Sequence, residues 1–392
     1  MECQGADSTN RMNTSVIQWA DSTVSPVAGC DGCELWPSAG RLRNVLIDFL
    51  ADHFPGQAAV ELRQVVTKFI PAELTETLAY KARKEIVTGI LGALEATPTP
   101  ALIDLGVKAI SQGFRCYAGQ LTLRYCGRTK GYPELFEKPV PFPGHMAKAA
   151  AASDLTGTNR PKKPWLNGLP RLISVSDMGD ALSTAVPFDF LKFEIIDVVA
   201  SPNGQRHIWV WLTKHPCRMA RFSQWLWEQG GNWPENLVAM TSVTSEKTLS
   251  RADQLTRLDA PLKGLVVEPL CGPMELPLRG ISWVIVGGET GPQARPFHLR
   301  WLHDIQSQCE QPGVPLFVNG LGSDPRGTGW GLKLRDRQGS DWSDWPVDLR
   351  IREFPAAFDR RNLMLSRGEA ALQVGPYCGK KALSPWWPSE VA

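Results

Sequence analysis

The run "HIWVWLTK", residues 207–214, is apolar at nearly every position and then stops on a lysine. A strand with one wet face alternates apolar and polar residues. A run without alternation needs cover on both faces, which strands of a parallel sheet receive from flanking helices. The pattern recurs in "RLISVSD" (171–177), "LVAMTSV" (237–243), "LKGLVVEPL" (262–270), "SWVIVGGE" (282–289) and "PLFVNG" (315–320). Helical or loop segments lie between these runs, and the shorter apolar run "SVIQWAD" (15–21) precedes them. Seven strands alternating with helices predict an α/β chain, a partial or full parallel β/α barrel, with a doubly wound open sheet as the alternative.

Barrel sites lie at the C-terminal ends of the strands. Those ends here carry Asp177 and Asp180, Thr213 and Lys214, Thr241 and Ser242, Glu268, Glu289, and Asn319. Brought to one face, they make a polar pocket with several carboxylates and one lysine. Gly287 and Gly288 let a ligand approach the main chain beside Glu289. The spacing matches neither a dinucleotide loop nor a P-loop.

Around this core the chain divides by composition. Residues 1–14 read as a disordered tail, and 15–40 as the first strand plus a cysteine loop. Residues 41–112 carry apolar positions at helical spacing and read as a helical insert. Residues 113–322 hold the β/α barrel, with short helices expected near 117–126 and 145–153. Residues 323–392 read as a loop-rich C-terminal cap.

The cysteine loop is "TVSPVAGCDGCELW", 23–36, with Cys30 and Cys33 two apart among glycines. A closed zinc site usually needs two such pairs, and there is no second one. A redox CxxC opens a helix, whereas this one sits in a Pro/Gly loop. Cys116, in "CYAGQLTLRY" (116–125), follows the helical insert and offers a third ligand, with Cys126 as its competitor. Cys217 and Cys309 read as small hydrophobes.

The 392 residues carry a formal net charge of +2, and 43 % are hydrophobic. This is an ordinary globular balance that neither requires nor excludes nucleic acid. No apolar run reaches the ~18–20 residues of a membrane span, and the polar start lacks a secretory signal, so the expected setting is cytoplasmic with no membrane partner. Nine cysteines in that setting are thiols or ligands rather than disulfides. Basic clusters at 41–43, "RYCGRTKGY" (124–132) and "NRPKKPW" (159–165) could face nucleic acid, the last two alternating cations with aromatics as single-strand binders do.

Several of these segments, in order, resemble a family of phage and bacterial proteins with a three-cysteine motif, regarded as radical S-adenosylmethionine-like. They are "IQWADSTVSPVAGCDGCELW" (17–36), "CYAGQLTLRY", "VSDMGD" (175–180), "WLTKHPCRMARF" (211–222), "NWPENLVAMTSV" (232–243), "VVEPLCGPMEL" (266–276), "WVIVGGETGPQARPFHLRWL" (283–302) and "WSDWPVDLRIREFP" (342–355). The resemblance implies a partial β/α barrel of the radical S-adenosylmethionine type. It implies a 4Fe-4S cluster on Cys30, Cys33 and Cys116, with S-adenosylmethionine cleaved to a 5′-deoxyadenosyl radical. Lys214 and Glu268 become candidate catalytic groups, while Asp180, Ser242, Gly287, Gly288 and Glu289 become candidate cofactor-binding ones. It further implies a nucleotide or DNA-base substrate, such as a hypermodified thymidine, an external reductant such as flavodoxin, and a partner protein encoded nearby. The common radical enzymes carry their three cysteines in one short loop, whereas here the helical insert divides them. The family's last strand ends in lysine where this chain has Asn319, so Asn319 receives no catalytic role. Two other readings use the same residues: a non-catalytic iron–sulfur or zinc protein that binds nucleic acid, and a carboxylate-based hydrolase.

Overall fold

The computed structural model describes residues 17–36, 39–71, 80–125, 136–291, 294–327 and 334–359. The expected tail at 1–14, Cys126 and most of the 124–132 cluster lie outside them. Two compact units are present. One combines Val27–Phe142 with Asp177–Pro187, and the other Met1–Pro26, Pro143–Ser176 and Phe188–Ala392.

The first unit is built on helices α1 (Ala39–His53), α2 (Ala59–Phe69), α3 (Tyr80–Ala93), α4 (Pro100–Gly113) and α5 (Tyr117–Tyr125). Thr99 caps α4 by accepting the Leu102 N–H, and Pro100 occupies its first turn, where a missing N–H is harmless. Leu42, Leu46 and Leu50 on α1 bury against Leu62 and Val66 on α2, Val87 and Ile90 on α3, and Val107 and Ile110 on α4. Each such side chain contributes about 1.5–3 kcal/mol on burial. Trp36 and Cys30 join the same core, so the cysteine loop packs with the helices of this unit. A short antiparallel pair, Val27–Ala28 with Val140–Pro141, closes it.

The second unit holds seven parallel strands: β1 (Ser22–Val24), β2 (Arg171–Val175), β3 (His207–Thr213), β4 (Leu237–Ser242), β5 (Lys263–Val267), β6 (Trp283–Gly287) and β7 (Leu316–Gly320). They hydrogen-bond in chain order, and the sheet curls into a half-barrel. The barrel expectation therefore holds in its partial form. Leu172, Ile208, Val210, Val238, Met240, Trp283 and Ile285 share one buried face. Their alternates, Ile173, Trp209, Trp211, Ala239 and Val284, are equally buried, so no strand alternates in sequence. Connecting helices include α6 (His145–Ala150), α7 (Pro216–Glu228), α8 (Ser250–Thr256) and α9 (Leu299–Glu310).

The N-terminal strand needs correcting. Residues 17–20 of "SVIQWAD" form turns, and the ladder begins at Ser22. The backbone there is taken by side chains: Lys163 Nζ donates to the carbonyls of Ile17 and Ala20, Trp165 Nε1 to that of Gln18, and the Gln18 N–H donates to Asn319 Oδ1. Trp19 and Ala20 are fully buried, so the apolar signal marked burial and not pairing.

Of the three cations in "NRPKKPW", Lys162 is exposed, whereas Arg160 and Lys163 are turned inward rather than forming the cationic surface that composition suggested. Arg160 is buried against Asp21 at 2.8 Å and donates to the carbonyls of Leu166, Leu169 and Pro170. Lys163 points at the main chain, and burial lowers its ammonium to about pKa 8. Trp165 lies 3.6 Å from the guanidinium carbon of buried Arg352. These side chains clamp the N-terminal segment.

Candidate metal centre and strand-end groups

The cysteine loop turns tightly because Gly29 and Gly32 both adopt positive φ, 89° and 102°. The Gly32 N–H reaches Cys30 Sγ and the Leu35 N–H reaches Cys33 Sγ, each at 3.4 Å. Both thiols therefore face a main-chain donor two residues ahead, an arrangement that favours sulfur carrying negative charge. Cys33 and Trp36 exchange backbone bonds at 3.0 and 3.1 Å, which fixes the loop's return.

Cys116 reaches this loop through its neighbours. The N–H groups of Arg115 and Cys116 both donate to Leu35 O, at 2.8 and 2.9 Å. Cys116 immediately precedes α5, and its carbonyl accepts the Gln120 N–H. Gly119 makes the approach possible. A Cβ there would lie 2.4 Å from the ring of Trp36. Trp36 is pinned edge-on by Phe114 and Phe136 and donates its indole N–H to Glu137 Oε1 at 2.9 Å.

Burial, first, and then the charge of Asp180, Cys33 and Cys116 push the Cys30 thiol far up, while the Gly32 N–H pulls the other way. Cys30, Cys33, Cys116 and Asp180 thus form one electrostatic group, all within the helical unit. Asp180 is buried; its N–H donates to Gly29 O, and one carboxylate oxygen accepts the Leu182 N–H. A bound cation would relieve the resistance of the Cys30 thiol to ionisation, since metal binding deprotonates its ligands.

The other cysteines differ. Cys309 is buried in α9, its thiol pushed up to about 12 chiefly by burial, as a small hydrophobe. Cys217 is exposed on α7, so the core role expected for it does not hold.

In the sheet-bearing unit, Glu268 follows β5. Asn319 Nδ2 donates to both its oxygens, at 2.9 and 3.0 Å, while Asn319 Oδ1 accepts the Gln18 N–H at 3.0 Å. Gly287 leaves the room, since a Cβ there would meet Glu268 Oε1 at 2.6 Å. Desolvation raises the Glu268 carboxyl to about pKa 6, opposed by the Asn319 hydrogen bonds and the charge of Lys214. Lys214 and Glu268 are therefore brought together. Glu289 is instead tied to Arg295 by a two-pronged contact at 2.8 and 3.0 Å, with the Arg295 N–H adding a third bond. Ser242 is buried, and its carbonyl accepts from Arg251. The Gly288 N–H is spent on Gly320 O. Sequence reasoning placed Asn319 at a strand end without a role, and it offered nothing for Arg295. An amide two strands from an acid, at the same sheet end, was the available signal for the first.

One protein family matches residues 103–346, and its description is "Protein of unknown function (DUF5131)". That span covers well over half of the chain. The chain belongs to this family. The matched residues include Cys116, Asp180, Lys214, Glu268 and Asn319, and Cys30 and Cys33 precede them. No curated protein and no solved structure matches the chain. No helix among the described residues is long and apolar enough to cross a membrane.

Proposed function

We propose that this member of the family is a radical S-adenosylmethionine enzyme acting on a nucleotide or DNA base, with a 4Fe-4S cluster on Cys30, Cys33 and Cys116. The observation that carries the reading is the thiol group itself. Cys33 and Cys116, from two distant stretches, both act electrostatically on Cys30, and Cys30 and Cys33 accept main-chain N–H bonds. That donor set, all sulfur with amide support, is what iron–sulfur clusters use. When bound, the cluster and S-adenosylmethionine supply a one-electron reductive cleavage, the electron coming from an external reductant such as flavodoxin.

The chain's own residues have separate tasks. The three thiols give up protons on loading, and the Gly32 and Leu35 N–H groups orient the sulfurs of Cys30 and Cys33. Asp180 adds a buried acceptor beside Cys30. In the sheet unit, Glu268 offers a carboxylate held by Asn319, able to accept hydrogen bonds from hydroxyl or amino groups and to exchange a proton near pH 6. Lys214 supplies the facing cation for a carboxylate or phosphate. The Glu289–Arg295 pair shapes the loop after β6. The setting this reading requires is reducing and cytoplasmic, and a partner encoded nearby belongs to the same proposal.

The test is anaerobic incubation with S-adenosylmethionine and dithionite. Formation of 5′-deoxyadenosine and methionine by the reconstituted protein, absent in Cys30→Ala, supports the reading. A fully loaded cluster that yields neither product overturns it in favour of a passive cluster.

A further inference from the structure

The outer surface of the half-barrel holds a second feature, independent of Cys30, Cys33 and Cys116 and of the strand-end groups. Helix α7 buries Pro216, Met219, Phe222 and Leu226. The adjoining face of α7, Cys217, Ala220, Arg221, Ser223, Gln224 and Trp227, forms one wall of a cleft of about 510 Å³, and Gln254 and Arg257 at the end of α8 form the other. Trp227 is 71 % exposed, although a large ring normally buries most of its surface. The volume falls within the range of small-ligand sites.

The cleft's chemistry selects the class of occupant. Besides the indole and the Ala220 methyl, the lining holds the Cys217 thiol, the Ser223 hydroxyl, two guanidinium ions, one on each wall, two amides, and Asp259 as the single carboxylate. An exposed indole offers a stacking face to any base. Guanidinium groups pair with phosphate oxygens, and glutamine amides match base edges.

We infer that the α7–α8 cleft is a docking site for single-stranded nucleic acid, with one base stacked on Trp227 and phosphates held by Arg221 and Arg257. The inference stands whether or not the protein carries a cluster. It gives the outer surface a binding role that the "NRPKKPW" clamp does not supply.

The test uses the full chain and a fluorescein-labelled oligothymidylate of about a dozen nucleotides, followed by anisotropy over a salt series. Trp227→Ala is expected to weaken binding by roughly 5- to 150-fold, the loss of one stacked base, and Trp227→Phe to retain most of it. Arg221→Gln and Arg257→Gln should each lower the slope of log affinity against log salt by about 0.7. These positions are on the surface, and unchanged circular dichroism confirms folding. No oligonucleotide binding overturns the inference, as does binding that Trp227→Ala leaves intact. Equal affinity for labelled polyglutamate that is indifferent to Trp227 also overturns it and makes the cleft a site for acidic proteins.

Discussion

Replacing Glu268 by Gln removes a carboxylate whose ionisation the fold opposes. The carboxyl is raised from 4.5 to about 6, with burial as the largest cause. A raised carboxyl contributes stability that is fully present below the unfolded value and is lost as pH rises through the folded one. Stability is therefore lost between pH 4.5 and 6, and the difference of about 1.5 units corresponds to about 2 kcal/mol. Gln keeps an oxygen for Asn319 Nδ2 and carries no charge, so the variant should avoid that loss. For a body of ~150–250 residues the gain is roughly 4–8 °C in Tm. The assay is thermal unfolding of both chains by tryptophan fluorescence, with chelator present, from pH 4 to 7.5. The variant should melt higher than the native protein above pH 6, and the gap should close below pH 4.5. A gap that is constant across this range, or that widens in acid, refutes the assignment of Glu268 as a desolvated carboxylate.

Three further outcomes follow from the packing. Asn319→Leu removes the bonds that oppose the rise of Glu268, so in that background the gap between chains with and without Glu268→Gln should still open near pH 4.5 but level off at higher pH and become larger, measured by the same unfolding series. Gly119→Val drives a side chain into Trp36, already 2.4 Å from a Cβ; overpacking of this kind costs about 1–3 kcal/mol, and reconstituted iron should fall while the secondary structure by circular dichroism persists. Arg160→Met strands buried Asp21 and should destabilise the sheet unit by about 3–5 kcal/mol in denaturant titration, with Asp21→Asn in the same chain recovering part of the loss.

The sheet was legible because a strand covered on both faces leaves an unbroken apolar run, and six such runs map onto β2 to β7. The N-terminal run deceived because burial beneath a sheet and pairing within it produce the same composition. Only the side chains of Lys163, Trp165 and Asn319, distant in sequence, decide between them. The basic–aromatic segment at 159–165 deceived for a related reason. Composition shows that cations are present and is silent on direction, and here Arg160 and Lys163 point inward to carbonyls while Lys162 is exposed. The pair Cys30 and Cys33 could be read from spacing. That Cys116 shares their electrostatic environment depends on Gly119, Trp36 and the Leu35 carbonyl, a tertiary arrangement with no local signature. Asn319 was visible as a strand end, but its bonds to Glu268 were not, since they exist only across two strands.

The proposed iron–sulfur cluster rests on Cys30, Cys33 and Cys116. Anaerobic reconstitution followed by iron and sulfide analysis, with absorbance near 400 nm, tests it most directly across the native chain and the Cys30→Ala, Cys33→Ala, Cys116→Ala and Cys126→Ala variants. The account predicts about four irons per chain in the native and Cys126→Ala proteins and loss of the absorbance in the other three. A colourless protein holding one zinc, or a cluster that survives Cys116→Ala and is lost in Cys126→Ala, contradicts it.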